Sequence, residues 1–364
     1  MSAEAQTKPL DDITVVDMTV NVPGPYCSTI LGDLGARVIK VEPPEGDPSR
    51  QEGPFPDDRP HLEHGGLFHY LNASKRGVVL DLTKRPGRRA LLGLIQDADV
   101  VVANSPPERL RALGLTYRRL RGTNPRLIFT AITPFGFRSP YTGWKTNEYI
   151  RWNMGGFGFG TPGLPDFVAD PEAEPPLHPE APTGDILAGG AAAMATMCAL
   201  HARAADGQGR MVDIPVQAAL AMFNIGDVMP YSYGRIMRGR HRVAQAAMPN
   251  DVFPCKDGWV ILGAGGEFWP RFLEAMGNPP WGESELYLNN ERRGAHWDTL
   301  QPLIQEWTLS LTGEEITRRC QGKRVTSFHC QSISEVVDSS HFKERGAFRQ
   351  LEIDGHSALA PSAP

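Results

Sequence analysis

Four consecutive stretches restrict the fold more than any other part of the chain. They are Ile13-Thr-Val-Val-Asp-Met18, the breaker Asn21-Val-Pro-Gly-Pro25, an apolar run from Tyr26 to Leu34 closed by Gly35, and Arg37-Val-Ile-Lys-Val-Glu42. A β-branched strand, a tight turn, a helix and a second strand within about thirty residues make a βαβ unit, which belongs to a parallel sheet. The alternation continues. Val78–Leu82, Asp99–Ala103, Arg126–Ile132 and Met211–Ile214 read as further strands, and Pro86–Ala98 as an amphipathic helix. The predicted class is α/β, with a Rossmann-like parallel-sheet large domain. Ligands of such sheets meet the loops at the carboxyl ends of the strands. That rule selects Asn21–Pro25, the loop after Glu42, Asn72–Lys75 and Asn104–Arg111. The first turn carries Pro-Gly-Pro and no G-x-G-x-x-G, so an NAD site is not expected.

The 364 residues suffice for two domains, and 41% hydrophobic with 22% charged residues is a globular composition. A net charge of −5 leaves no basic footprint for nucleic acid. Gly, Pro or charge interrupts each apolar run, so no membrane span is expected. Cys27, Cys198, Cys255, Cys320 and Cys330 form no C-x-x-C, and the first residues carry no hydrophobic or basic leader. Both features predict a reducing, cytoplasmic setting. His61, His64 and His69 are spaced like ligands but lack an H-E-x-x-H helix or a thiolate frame. They read as solvated loop histidines, and no metal is expected.

A second unit follows. Val252–Cys255 and Val260–Gly263 flank Lys256-Asp257-Gly258 as a hairpin, with helical patterns at 266–276, 285–294 and 297–310. The expected organisation is a large domain over 1–220 completed by about 325–364, a connector over 221–245, and a small α+β domain over 246–324. A Pro- and acid-rich loop spans Pro162–Pro182.

Pro182-Thr-Gly-Asp-Ile-Leu-Ala-Gly-Gly190 leads into Ala-Ala-Ala-Met-Ala-Thr-Met-Cys-Ala-Leu200. Asp185 is the only Asp, Glu, Lys or Arg between Glu180 and His201. Two readings stand side by side. Asp185 caps the helix, at about 1 kcal/mol, or it is a reactive acid that a ligand reaches across a surface of small residues. Lys145 and Glu148 lie in a helix-like segment before the Gly155–Gly160 loop.

Seven motifs come in one order: Pro23-Gly-Pro25; Gly35-Ala-Arg-Val-Ile-Lys-Val-Glu-Pro-Pro44 with Gly46-Asp47; Asn72-x-x-Lys-Arg76 with Leu80-Asp-Leu82; Asp99-Val-x-Val-x-Asn104; Asn124-Pro-Arg-Leu-Ile128; Gly184-Asp185; and Gly207-Gln-Gly-Arg-Met-Val-Asp213. In this order the chain resembles the class III coenzyme A transferases, which include formyl-CoA transferase, carnitine CoA-transferase and α-methylacyl-CoA racemase. The resemblance implies an interlocked homodimer and transfer of coenzyme A from an acyl-CoA to a carboxylic acid, without metal or NAD. It makes Asp185 the nucleophile, with Lys145 and Glu148 beside it. Asn21, Val22 and Pro23 would frame the thioester through their backbones, and Asn104-Ser105 would line the CoA site. Lys75, Arg76, Arg109 and Arg111 are candidate phosphate partners. Racemase relatives carry a His in the segment matching Tyr141–Asn153, and this chain has none there, which favours transfer. An acyl-CoA racemase using Asp185 and Glu148 remains the alternative, followed by a non-catalytic CoA-binding relative or one subunit of a two-chain enzyme.

Overall fold

A computed structural model describes residues 8–160, 170, 173–235 and 248–362. The expected loop over 162–182 lies partly outside these residues, and most of the connector's basic end, 236–242, lies wholly outside. The chain divides into two compact units, 1–240 with 347–364, and 241–346.

The large unit holds a six-stranded sheet of β1 (Thr14–Asp17), β2 (Arg37–Glu42), β3 (Lys75–Val79), β4 (Val100–Ala103), β5 (Ile128–Thr133) and β6 (Met211–Pro215). Its order is β3-β2-β1-β4-β5-β6, parallel throughout. The direction of winding reverses between β1 and β4, where such sheets open their ligand crevice. The helices of this unit are α1 (Pro23–Asp33), α2 (Gly66–Asn72), α3 (Arg85–Gln96), α4 (Pro107–Leu113), α5 (Tyr117–Thr123), α6 (Glu148–Met154), α7 (Phe157–Gly160), α8 (Thr183–Asp206), α9 (Val216–Phe223) and α10 (Ile225–Gly234).

Alternate residues of each buried strand serve opposite faces. Val15, Val38, Val100, Val102, Ile128 and Ile132 pack against α1, α8 and α9. Val16, Val41, Val101, Ala103, Phe129 and Ala131 pack against α3, α4 and α5. Burial on both faces explains why these strands read as continuous apolar runs.

By length and composition α8 could cross a membrane, contrary to the expectation that every apolar run is broken. Here it is the central helix of the core. Thr196 bonds Thr130 at 2.7 Å, and Arg203 pairs with Asp99 at 3.0 Å. At the other end, a Cβ on Gly189 would stand 2.5 Å from the Pro23 carbonyl oxygen, so only glycine permits α1 and α8 to approach this closely.

β3 starts three residues before the expected Val78, at Lys75, which pairs with Val38 of β2. Its ammonium donates to Asp17 Oδ2 at 3.0 Å, the Pro25 carbonyl at 2.8 Å and Asn72 Oδ1 at 2.9 Å. Asp17, fully buried at the end of β1, also accepts from Ser28 Oγ at 2.6 Å and from the Thr19 amide at 2.9 Å. Lys40, equally buried, bridges the Thr19 carbonyl and Asp47, each at 2.7 Å. Burial acts to raise the Asp17 carboxyl, but Lys75, Lys40 and the hydroxyl donors outweigh it and hold it well below the usual carboxylate range. Burial draws the Lys75 ammonium down to about 8, against the pull of Asp17.

The small unit contains an antiparallel sheet, β7 (Asn250–Cys255), β8 (Gly258–Gly263) and β9 (Thr326–His329), under α11 (Trp269–Met276), α12 (Asn290–Ala295), α13 (Trp297–Leu309) and α14 (Gly313–Gly322). The expected hairpin is present. The return to the large unit begins at 347 and not near 325, because β9 pairs with β8. What returns is the hairpin β10 (Phe348–Ile353) and β11 (His356–Pro361).

Removing one partner of the buried network leaves a stranded charge. Lys75→Met should cost about 3–5 kcal/mol in denaturant unfolding, and Asp17→Asn added to it should recover part of the loss.

Candidate active site

The N-termini of α6 and α8 are joined by one carboxylate. Pro182 is the residue before the first turn of α8, so Asp185 is its third residue and not its cap. The capping is done from another helix: Glu148, the first residue of α6, accepts the Gly184 amide at 3.0 Å. Asn147 starts α6 by accepting the Ile150 amide at 3.0 Å. A Cβ on Gly184 would press on Glu148 Oε1, so the Gly-Asp pair has a steric reason.

Asp185 is 3% exposed. Arg151, one turn after Glu148 on α6, grips it through Nε to Oδ1 at 2.9 Å, Nη2 to Oδ1 at 2.7 Å and Nη2 to Oδ2 at 2.5 Å. Burial raises the Asp185 carboxyl above the usual carboxylate value, Arg151 opposes this, and the Glu148 charge adds to the rise. The second Glu148 oxygen meets His178 Nε2 in a short contact. His178 is held between the rings of Tyr149 and Trp152, at 5.0 and 5.9 Å. Arg151 and His178 were not singled out from the sequence. Arg151 sits one turn beyond Glu148, a spacing that could have found it. His178 lies outside Tyr141–Asn153, and only the fold brings an imidazole to Glu148. Lys145 is exposed on the loop before α6, with no ion pair to either carboxylate among the described residues.

The second half of the site lies at the carboxyl ends of β1, β2 and β4, where a cleft of about 550 Å³ opens. Val20, Pro43, Leu80, Ser105, Arg109 and Leu113 are among its walls. Val22 and Pro23 are buried at the start of α1, and exposed Asn21 donates its amide to Asp47 at 3.0 Å. Asn104 spends both ends of its amide on the Val20 backbone, at 3.1 and 2.7 Å. It therefore fixes the loop that walls the cleft. Lys75 is a correction to the expected phosphate partners, because its three N–H groups are all taken inside the protein. Arg76 is exposed on β3, and Arg111 faces a groove beside the cleft. The loop from Val20 to Pro23 joins the two halves, since Val20 lines the cleft and Pro23 touches Gly189, one turn beyond Asp185.

His61 and His64 stack at 4.1 Å, His64 faces Asp354 and His69 bonds the Glu63 carbonyl, so the three do not converge on a common point. Among the described residues, one trio has ligand-type atoms within 4.8 Å of one another: Cys255, Asp257 and His329 of the small unit. There Asp257 already accepts from the Cys255 thiol and the Gly313 amide.

The family model described as CoA-transferase family III matches residues 10–364. Succinyl-CoA--D-citramalate CoA-transferase of Chloroflexus aurantiacus is 30% identical over 95% of this chain and 84% of its own length. Succinyl-CoA:mesaconate CoA-transferase of Haloarcula marismortui is 30% identical over 95% and 86%. The crystal structure of a CAIB/BAIF family protein from Brucella suis superimposes with a TM-score of 0.82 at 26% identity, covering 99% of this chain and 96% of that one. A family match that runs from before the first strand to the last residue, with relatives 30% identical over most of their length, leaves one assignment: the chain belongs to CoA-transferase family III.

Proposed function

We propose that the protein moves coenzyme A from an acyl-CoA to a carboxylic acid by covalent catalysis at Asp185, as the similarity to the two succinyl-CoA-dependent transferases suggests. The observation that supports this most is an ionisable carboxylate, almost wholly removed from water, on a helix mouth whose amide is already capped by a different acid. A dedicated cap would not need to be spared its own helix. The dicarboxylates in those relatives' names favour a dicarboxylic acyl donor.

In this reading an Asp185 oxygen attacks the thioester carbonyl, the C–S bond breaks and the thiolate leaves, giving a mixed anhydride. The thiolate then attacks the Asp185 carbonyl carbon and the anhydride C–O bond breaks. The donor acid departs and an aspartyl thioester remains. An acceptor carboxylate attacks that thioester and releases the thiolate, which takes the acceptor's acyl carbon and frees Asp185. One negative charge passes from Asp185 to sulfur to the departing acid. Arg151 loses its partner each time Asp185 is acylated, so its guanidinium is free for the carboxylate then present. Dry surroundings matter because water would hydrolyse the anhydride. Glu148 orients the helix mouth and supplies a negative charge beside it.

His178 with Glu148 forms an acid/base pair next to Asp185, and this supports a second reading: removal and return of the α-proton of a 2-substituted acyl-CoA. The interlocked homodimer is also part of our reading. Met222, Phe223, Ile225, Val228, Met229 and Tyr231 form an exposed apolar row along α9 and α10 that a second copy would cover.

Three measurements test these readings. Incubation with a panel of acyl-CoAs should leave a CoA-sized adduct on the peptide holding Asp185, and Asp185→Ala should lose both adduct and exchange. Retained exchange would overturn the nucleophile, and α-deuterium taken up from deuterated water without transfer would favour the second reading. The acid limb of kcat/KM should lie above 3.8, the ordinary Asp value. Glu148→Gln should move that limb to lower pH and Arg151→Gln to higher pH, because one removes a negative and the other a positive neighbour. Light scattering should give twice the mass of one chain.

A further inference from the structure

The core-facing side of the small unit's sheet carries two metal-ligating side chains at one end. Phe253, Val260 and Leu262 are buried on that face. Cys255 lies two residues beyond Phe253 on β7, and His329 stands directly opposite Val260 on β9. A strand repeats its facing every second residue, so Cys255 and His329 both point to the core side. They meet where the hairpin turns through Asp257. The ligand-type atoms of the three lie within 4.8 Å of one another. Cys255 Sγ is 3.3 Å from Asp257 Oδ1, close to the edge of a tetrahedron of ligands about one zinc ion, roughly 3.5 Å.

Two observations set the trio apart from a chance meeting of polar groups. The imidazole occupies a slot that glycines leave open. A Cβ on Gly313 would stand 2.3 Å from His329 Cδ2, and one on Gly258 3.3 Å from His329 Nε2. Neither ring nitrogen makes a hydrogen bond among the described residues. Nε2 lies against Gly258, at the turn, while Nδ1 has Glu335 Oε1 at 3.6 Å. Glu335 spends its other oxygen on capping α15 (Ile333–Asp338), through the Ser332 amide and hydroxyl at 2.7 and 2.6 Å. A carboxylate behind a histidine ring is the usual support of a metal-bound imidazole. Asp257 is supported likewise, because Oδ1 accepts the Gly313 amide at 2.7 Å.

A thiolate, an imidazole and a carboxylate do not suit Mg2+ or Ca2+, which take oxygen ligands, and they do suit zinc. We propose that Cys255, Asp257 and His329 bind one zinc ion, with water in the fourth position and Glu335 holding the imidazole from behind. On binding, the Cys255 S–H bond breaks, its proton goes to solvent and a Zn–S bond forms, with no change of oxidation state. The ion ties β7, its turn and the end of β9 together and, through the Gly313 amide, to the start of α14. The expectation of no metal rested on spacing along the chain, and these three residues come from separate segments. The zinc clasp supplies no step of the transfer and is independent of the Asp185 reading.

The test uses the full chain, stripped with EDTA and titrated with Zn2+ against a chromophoric chelator. One equivalent should bind and raise the melting temperature. Co2+ in place of zinc should give a thiolate-to-metal charge-transfer band, read on wild type and so independent of any variant's folding. His329→Gln should weaken zinc at least about 10-fold, and Cys255→Ser should abolish the charge-transfer band. Cys330→Ser and His64→Gln should bind as wild type does. Less than one equivalent, a melt unmoved by zinc or a cobalt complex without the thiolate band overturns the proposal. So does zinc binding that survives both His329→Gln and Cys255→Ser, or that is lost in His64→Gln.

Discussion

The large unit depends on a chain of buried charges, Asp17–Lys75 on one side and Lys40–Asp47 on the other, meeting at Thr19. Two acids and two bases at the core of a sheet would be costly if any were unpartnered. Here each is satisfied by its opposite and by backbone. Together they tie the carboxyl end of β1 to the interior of β2, the start of β3 and the turn that enters α1. Glu42 with Arg50, whose guanidinium lies 3.6 Å over the Phe68 ring, extends the clamp outwards. The cleft walls are therefore set by ionic geometry before any ligand arrives.

The reacting end of the site is built on a different rule. There one helix caps another, and the acid that would ordinarily do so is left over for a guanidinium. Capping, charge pairing and steric fit converge on Glu148, Gly184 and Asp185, three residues from two segments far apart in the chain. A site of this kind is held to the same tolerance as the helices that carry it.

Much of this was legible in the sequence, for physical reasons that differ by element. The parallel strands announced themselves because burial on both faces leaves only apolar residues, and Pro-Gly-Pro with Gly35 bracketed α1. Asp185 stood out because nothing else charged lies near it. Lys75 misled, since a Lys at a strand end looks like a ligand group whether it faces water or closes a network inside. His178 was invisible because its meeting with Glu148 is made by folding alone. The small unit's claim on Thr326–His329 was hidden too, because a four-residue strand has no periodicity to distinguish it from the returning segment.

The helix α8 runs for 24 residues, about 36 Å, from Thr183, two residues before the acid, to the turn at Gly207. It is fastened near one end by the Pro23–Gly189 approach, midway by Thr196 to Thr130 and at the other end by Arg203 to Asp99. The acid therefore sits on a rod with no slack between it and the sheet. Displacing the acid along the axis of α8 requires breaking the contacts that hold this helix to the sheet.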